Sequence, residues 1–162
     1  MKIHAKITAV MMCLFLHIVI LKGQENLEIS KIFSEFGKLE GSTLVQLGTD
    51  VLDKNTKINF YKSLALPRTS EAEIRIDMAL EIDCLNGEKI VESKKNGMVE
   101  TAYYVLVKER GNGEYRYVLY KNKSKKIYLI YLKGDFPPQE LEAELEKLKD
   151  LFIFVNKKRI KL

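Results

Sequence analysis

Hydrophobic residues recur about every three or four positions in the segment LEISKIFSEF, residues 27–36. An α-helix completes a turn in about 3.6 residues, so this spacing places them along one side of a helix. Gly37 follows the last of them, and glycine is frequent just after a helix end. The pattern predicts a helix with this buried side: Leu27, Ile29, Ile32, Phe33 and Phe36.

Two segments with strand character come next. STLVQLG, residues 42–48, is either a short strand or the lead into the following loop, and KINFYKSLAL, residues 57–66, is a stronger strand that Pro67 and Arg68 end. Side chains alternate between the faces of a strand. The predicted alternation places Ile58, Phe60 and Lys62 on one face and Asn59 and Tyr61 on the other.

A second helix is predicted from its start and stop signals. Ser70-Glu71-Ala72-Glu73 matches the S-x-x-E capping box, so the helix should begin at this point. Asn86-Gly87 should end it. The apolar positions predict a buried stripe made of Ile74, Met78, Ala79 or Leu80, and Ile82.

Four alternating segments then predict a β-meander. Asn-Gly at 96–97 is a strong hairpin signal, because both residues tolerate the backbone angles of tight turns. Further turn residues lie at 111–113 and 122–124. The predicted strands are residues 88–94, 98–109, 114–122 and 125–134.

A third helix is predicted from the prolines of Asp135-Phe136-Pro137-Pro138 to about Lys149, since proline is tolerated in a first turn. LFIFV, residues 151–155, either continues this helix or forms a strand, and its β-branched and aromatic content favours the strand. The predicted fold class is therefore α+β: an antiparallel meander sheet with two or three helices packed mostly on one face.

The N-terminus is typical of a secretory signal peptide. Lys2 and Lys6 precede an apolar run at 7–21, and polarity returns at Lys22, so cleavage is expected near Gly23 or Gln24. An uncleaved membrane anchor is the alternative, although the run is shorter than the ~20 residues of a typical span. The predicted organisation is a signal peptide at 1–23, a single α+β domain at 24–156 and a basic tail at 157–162.

Removal of the signal peptide changes the charge of the protein. Without Lys2, Lys6 and Lys22, the 27 basic residues fall to 24 against 22 acidic ones, so the net charge becomes +2 in place of +5. The remaining excess lies in the basic tail. A domain that is exported and has no basic body is not expected to bind nucleic acid.

The chemistry of the mature chain is restricted. Both histidines precede residue 24, and Cys84 is the one cysteine after it, so no Ser-His or Cys-His pair and no intramolecular disulfide can form there. We expect no cofactor, no metal and no catalytic residue. The acidic pairs Asp77/Glu81 and Glu140/Glu144 have helical i, i+4 spacing and could serve hydrolysis, although such charged faces are more often solvated.

Tyrosine is concentrated in the meander, where seven of the eight tyrosines lie between residues 103 and 131. Alternation predicts one group on the helix-facing side: Tyr103, Tyr115, Tyr117 and Tyr131. The opposite face should then carry a candidate binding surface, because tyrosine combines a large apolar area with a polar tip. This surface, beside Lys108, consists of Tyr104, Arg116, Tyr120 and Tyr128. The alternative is that these rings simply form cross-strand pairs.

The segments IFSEFGKLEGSTLVQLG, INFYKSLAL and IYLIYLKGD carry a resemblance to a known group of proteins. Around Phe33-x-x-Phe36-Gly37 and residues 131–135, the chain resembles small exported proteins of unknown function from Bacteroides-like bacteria. The resemblance implies a periplasmic or surface location and no established activity. It implies no active-site residues.

These observations predict an exported, non-enzymatic binding or assembly domain of the bacterial cell envelope that uses its Tyr-rich sheet face. The alternative is a carboxylate-dependent hydrolase acting on envelope polymers. The expected partner is an envelope protein or a second copy of the chain, ahead of a glycan. Membrane contact is expected only transiently, or through the signal segment or the basic tail. The sequence identifies neither a specific partner nor a substrate.

Overall fold

The structure of the chain is a computed structural model that describes residues 27–52, 54–95, 97–106 and 113–148, and the backbone of strands at 152–155 and 158–161. The predicted signal peptide at 1–23 lies outside the described residues. So do Lys108, the predicted strand end at 109 and the Gly111-Asn112 part of one predicted turn.

A six-stranded antiparallel sheet forms the centre of the protein. The strands are β1 (Thr43–Gly48), β2 (Ile58–Pro67), β3 (Glu88–Lys95), β4 (Met98–Val105), β5 (Tyr115–Asn122) and β6 (Lys126–Gly134). Their order in the sheet is β1-β2-β6-β5-β4-β3. Strands β3 to β6 form the predicted meander, and the β1–β2 hairpin pairs with the outer side of β6. Gly97 has a φ of 79°, as the Asn-Gly turn predicts.

Helices α1 (Glu28–Phe36) and α2 (Ser70–Asp83) cover one face of the sheet. A 3₁₀ turn at Pro138–Glu140 leads into α3 (Leu141–Leu148), which packs on part of the other face through Leu141 and Leu148. The predicted α+β class, with helices mostly on one face, is confirmed.

A separate two-stranded antiparallel sheet joins β7 (Phe152–Val155) and β8 (Lys158–Lys161). The strand predicted within residues 151–155 is therefore confirmed. Strand β8 lies within the predicted basic tail, residues 157–162, and its backbone pairs with β7 from Phe152↔Lys161 to Val155↔Lys158.

Helix α1 buries the predicted side, including Ile29, Ile32 and Phe33. Its first residues have no local side-chain cap. The Asp83 carboxylate at the end of α2 instead accepts hydrogen bonds from the backbone N–H groups of Glu28 and Ile29, each at 2.8 Å. The end of one helix thus caps the start of its neighbour, and satisfies donors that a helix leaves free.

Helix α2 begins at Ser70 as predicted, but its cap differs from the predicted capping box. The Thr69 hydroxyl accepts a hydrogen bond from the Ala72 N–H at 3.2 Å, so Thr69 is the N-cap. Glu73 does not complete a capping box, because its carboxylate is bound to residues outside the helix. Its carboxylate pairs with Arg68 at 2.7 Å and accepts from the Asn122 side chain at 2.6 Å.

The predicted buried stripe of α2 is wrong at three positions. Ile74, Met78 and Ile82 are 60%, 57% and 60% exposed, and the sheet is contacted instead by the opposite side of the helix. Apolar residues occupy two sides of α2, so their spacing alone supports either rotation about the axis. The buried residues are Ala72, Ile76, Ala79 and Leu80, whose two alanines allow close approach to the sheet.

The alternation predicted for β2 is interrupted by a bulge between Ile58 and Phe60. Phe60 packs toward α1 and α2, and the Lys62 ammonium lies 5.2 Å from the centre of the Phe33 ring. Ile58 belongs to the core on the α3 side, together with Tyr61. The prediction that Ile58 shares a face with Phe60 and Lys62 is therefore wrong, because one extra residue moves a side chain to the other face.

The tyrosines are distributed differently from the prediction. Partners across antiparallel strands share a face, and Tyr120 pairs with Leu129, whereas Tyr117 pairs with Leu132. The side covered by α1 and α2 therefore carries Tyr104, Tyr120 and Tyr131, and the α3 side carries Tyr103, Tyr115, Tyr117 and Tyr128. Relative to α1 and α2, Tyr131 and Tyr128 lie on the predicted sides, and the other five tyrosines of the meander lie on the side opposite to the prediction. Alternation within a strand does not decide which of its two faces meets these helices.

Candidate functional site

The four residues of the predicted binding surface do not form one surface. Tyr128 lies on the α3 side of the sheet, and the Lys123 ammonium is 5.7 Å from its ring centre. Tyr104, Arg116 and Tyr120 belong to the opposite side, where Tyr120 is only 2% exposed. The placement of these residues as one exposed patch is therefore wrong, since α2 covers that side of β5.

Two of these tyrosines instead line a cleft of about 360 Å³ between α2 and the β3–β4 hairpin. The helix and the turn after it supply one wall, and strands β3, β4 and β5 supply the other. The lining residues are Asp77, Leu80, Glu81, Cys84 and Leu85 on the first wall, and Lys89, Glu92, Val99, Tyr104 and Tyr120 on the second.

Three groups that line the cleft, the hydroxyls of Tyr120 and Tyr104 and the thiol of Cys84, are uncharged at neutral pH. Burial raises the pKa of the Tyr120 hydroxyl to about 12 and also raises that of Tyr104. Burial, with a smaller effect from the charge of Asp83, raises the pKa of the Cys84 thiol to about 12. A thiol that stays protonated is a poor nucleophile. Cys84 therefore acts here as a small apolar side chain.

A lysine from the chain itself occupies part of the second wall. The Lys89 ammonium is 2.9 Å from the Glu92 carboxylate and 5.9 Å from the centre of the Tyr104 ring. The hydrogen bond between Lys89 and Glu92 raises the pKa of the lysine and lowers that of the glutamate. The face of Tyr104 thus accepts an ammonium group, as the negative face of an aromatic ring favours.

The carboxylates on the α2 wall, unlike Glu92, are not paired with a described cation. Asp77 and Glu81 lie one helical turn apart, and neither has a hydrogen bond or an ion pair among the described residues. Partial burial raises the pKa of Asp77, and the nearby charges of Glu73 and Glu81 raise it further. This side of the cleft therefore carries negative charge that no described cation balances.

The cleft is continuous with an exposed apolar row on the outer side of α2. We call this row the α2 stripe and define it as Ile74, Met78, Ile82 and Leu85. Leu85 is 77% exposed and also lines the cleft. The stripe from Ile74 to Ile82 extends about 12 Å along the helix, at about 1.5 Å per residue. No described residue covers it.

Neither a metal centre nor a membrane-spanning helix was found in the described part of the chain. No three histidine, cysteine, aspartate or glutamate side chains lie there in an arrangement that could hold a metal ion. None of the helices there is long and apolar enough to cross a membrane.

Comparison with known proteins gives a family without an assigned activity. A model of a protein family matches residues 16–145, most of the chain. The chain belongs to the DUF6108 family. This is a family of unknown function, so the predicted membership of such a family is confirmed. No curated protein matches the sequence significantly.

Sequence reasoning identified one part of the cleft in this DUF6108 chain and missed another. The pair Asp77/Glu81 was a candidate from its helical spacing, and both residues line the cleft. Glu92 and Lys89 were not candidates, because only the pairing of β3 with β4 brings them beside Tyr104. The stripe could have been found from α2 itself, since apolar residues on two sides of a helix require two contact surfaces.

Proposed function

We propose that the protein is an exported, non-enzymatic binding or assembly domain of the bacterial cell envelope. We place its contact surface along α2, not on the Tyr-rich sheet face. The observation that carries the proposal is the α2 stripe, in which each of four large apolar side chains is more than half exposed. Contiguous apolar patches on the surface of soluble proteins commonly mark sites of interaction.

The energetics of the stripe support such a role. Complete burial of one such side chain contributes roughly 1.5–3 kcal/mol, and four of them could offset a large part of the entropy lost on association. Three of the four residues, Ile74, Met78 and Ile82, lie on a helix, which presents their side chains in one fixed arrangement. Pre-ordered contacts of this kind lose little further freedom on binding.

The envelope location is supported by the N-terminal sequence and by the resemblance to exported proteins of Bacteroides-like bacteria. If Lys2, Lys6 and the apolar run act as a signal peptide, the protein isolated from cells begins near Gln24. Intact-mass measurement tests this expectation. A protein that retains Met1 would indicate the membrane anchor.

Site-specific photo-crosslinking in the native cells tests the binding function. The residue p-benzoylphenylalanine is placed at position 78 and, in a matched control, at position 51. Val51 is also about half exposed, at 51%, but lies in the turn after β1. We expect a discrete envelope-fraction adduct from position 78 alone. Equal crosslinking at both positions, or none at position 78, would contradict the proposal.

The cleft supports a second candidate, the carboxylate-dependent hydrolase of envelope polymers. Asp77 and Glu92 line the same cleft, and their pKa values are shifted in opposite directions. Such a separation is typical of an acid and its partner in glycoside hydrolysis. Turnover of envelope polysaccharides, abolished by Asp77→Asn and by Glu92→Gln but retained by Glu142→Gln, would establish this activity. Absence of turnover in the wild-type protein removes it.

A further inference from the structure

We infer that the α2 stripe is the docking site for a basic amphipathic helix of a partner protein, with a Lys or Arg side chain of that helix beside Asp77 and Glu81. The inference rests on the proposed binding function and specifies the chemistry of the partner. Its basis is the arrangement of two adjacent rows on α2, one apolar and one acidic.

The two rows follow the i, i+4 ridges by which helices pack. One ridge contains Ile74, Met78 and Ile82, and the neighbouring ridge contains Asp77 and Glu81, with Leu85 in the turn just beyond the end of α2. A helix that lies along the first ridge places its own flanking residues over the second. The apolar side of the partner would therefore meet the stripe while its flank meets two carboxylates.

On the α1 side of the stripe, Arg75 and Lys31 are each paired with a carboxylate. Arg75, on the other side of the stripe, is paired with Glu35 of α1 and lies 5.6 Å from the centre of the Phe36 ring. On α1, Lys31 is paired with Glu28 at 2.8 Å. A partner would thus meet a neutral surface on the α1 side and an acidic one on the cleft side, which selects a basic flank.

The chain itself shows how a cation is held in this cleft. Lys89 combines the Glu92 carboxylate with the face of Tyr104. Asp77 and Glu81 stand on the opposite wall of the same cleft, without a described cation. A lysine or arginine from a partner would complete this wall, and its apolar stem would contact Leu85.

A second copy of the chain whose α2 packs antiparallel to the first fits the same surface poorly. In a symmetric pair with antiparallel helices, each flank of α2 meets the same flank of the other copy. Asp77 and Glu81 of one copy would then face Asp77 and Glu81 of the other. Like charges at an interface oppose association, so the charge pattern favours a basic partner over self-association.

Two designed peptides test the inference. Each is an amphipathic helix of ~18 residues, about five turns, with leucine on one side and either lysine or glutamate on the other. The protein is expressed from its full-length coding sequence, and binding of the labelled peptides is followed by fluorescence anisotropy. We expect saturable 1:1 binding of the lysine peptide and at least about tenfold weaker binding of the glutamate peptide.

Two double variants test the contributions of the apolar row and the acidic row separately. Met78→Ser with Ile82→Ser removes apolar contact, and Asp77→Asn with Glu81→Gln removes charge. Each double variant should weaken lysine-peptide binding by about tenfold or more. The controls are Leu39→Ser, at an exposed leucine outside the stripe, and Glu40→Gln with Glu142→Gln, at exposed carboxylates elsewhere. Both controls should bind as the wild type does, and circular dichroism confirms that each variant is folded.

The outcomes distinguish the partner chemistry from the binding function. Equal binding of both peptides, or binding that the controls weaken as much, overturns the inference of a basic partner. Self-association in sedimentation equilibrium that Asp77→Asn with Glu81→Gln strengthens would identify a second copy as the occupant and also overturns it. If the lysine peptide fails while position 78 still crosslinks in cells, the binding function stands and the basic partner is wrong.

Discussion

The acidic residues Glu140 and Glu144 have the same sequence spacing as Asp77 and Glu81, but the structure uses the two pairs differently. Glu144 is 2% exposed, and its carboxylate accepts from the Thr56 hydroxyl at 2.9 Å, the Lys57 N–H at 2.8 Å and the Lys147 ammonium at 2.7 Å. Asp77 and Glu81 face an open cleft without a described partner. A carboxylate surrounded by hydrogen-bond donors stabilises the fold, whereas one without such donors is free to bind a partner. The sequence spacing does not show which donors are nearby.

The two acidic pairs also differ in how closely the residues around them are packed. On the α3 side, Tyr117 stacks on Phe136 with ring centres 5.0 Å apart, and its hydroxyl donates to the Phe136 carbonyl. Gly134 lies against this pair and against the Lys57 carbonyl. On the α2 side, the stripe and the cleft leave large side chains in solvent. The core beneath α3 is closely packed, whereas the outer side of α2 has a surface still available for contact.

The largest expected loss of stability comes from a substitution on the α3 side of the sheet. A Cβ added at Gly134 would lie 2.2 Å from a Phe136 ring atom and 2.6 Å from the Lys57 carbonyl oxygen. We expect Gly134→Ala to lower the free energy of unfolding by about 3 kcal/mol, because a packed core resists added volume. Urea denaturation measures the change. Gly113→Ala is the control, since nothing lies within 4 Å of its added Cβ. Equal stability of both variants would show that the α3 side is loosely packed.

Glu144→Gln should lower the free energy of unfolding by about 2 kcal/mol at neutral pH, because it weakens charge-assisted hydrogen bonds to buried donors. Burial acts to raise the pKa of Glu144, but the hydrogen bonds from Lys147, Lys57 and Thr56 outweigh it and lower the pKa below 4.5. This carboxylate therefore stabilises the fold above its unfolded pKa, and the stabilisation is lost as pH falls through the folded pKa.

The difference in stability between wild type and Glu144→Gln should accordingly shrink as pH falls below about 4.5 in a series of urea titrations. Glu140→Gln provides the control, since its ion pair with Lys57 is exposed to solvent. Such a pair contributes little. A gap that stays constant down to pH 3 would contradict the structural role assigned to Glu144.

A smaller loss of stability is expected on substitution of Asp83, whose carboxylate at the end of α2 caps the start of α1. Asp83→Ala leaves the N–H groups of Glu28 and Ile29 without their acceptor, and should lower the free energy of unfolding by about 1 kcal/mol. Glu81→Ala, two residues away, should change it by less than about 0.5 kcal/mol. Amide hydrogen exchange at the start of α1 should quicken in the first variant alone. Unchanged exchange there would mean that the cap contributes nothing.

The smallest expected change in stability is an increase, on substitution of Asp77. The pKa of Asp77 is raised by burial and then by the charges of Glu73 and Glu81, so its ionised form opposes folding. The penalty is absent below its unfolded pKa of about 3.8 and appears as pH rises through the folded pKa. Asp77→Asn should therefore raise the free energy of unfolding at pH 7, by no more than about 0.5 kcal/mol. Loss of stability would instead reveal a partner for Asp77 and remove the contrast with Glu144.

The candidate site was only partly predictable. The acidic pair on α2 was visible from its spacing, but the assignment of Ile74, Met78 and Ile82 to the core was wrong. Helix α1 has one apolar side and therefore one way to pack, whereas α2 has two. Spacing within a helix cannot decide which of two apolar sides meets the sheet.

The sequence by itself determined the helices, the strands of the meander, their turns and the α+β class. Those features depend on periodicity and turn chemistry among neighbouring residues. Only the tertiary structure decided the rotation of α2, the bulge at Ile58, the faces of Tyr104, Tyr117 and Tyr120, and the partners of Glu144 and Asp83. These depend on register and on contacts between residues far apart in the chain, where a shift of one residue moves a side chain to the opposite face.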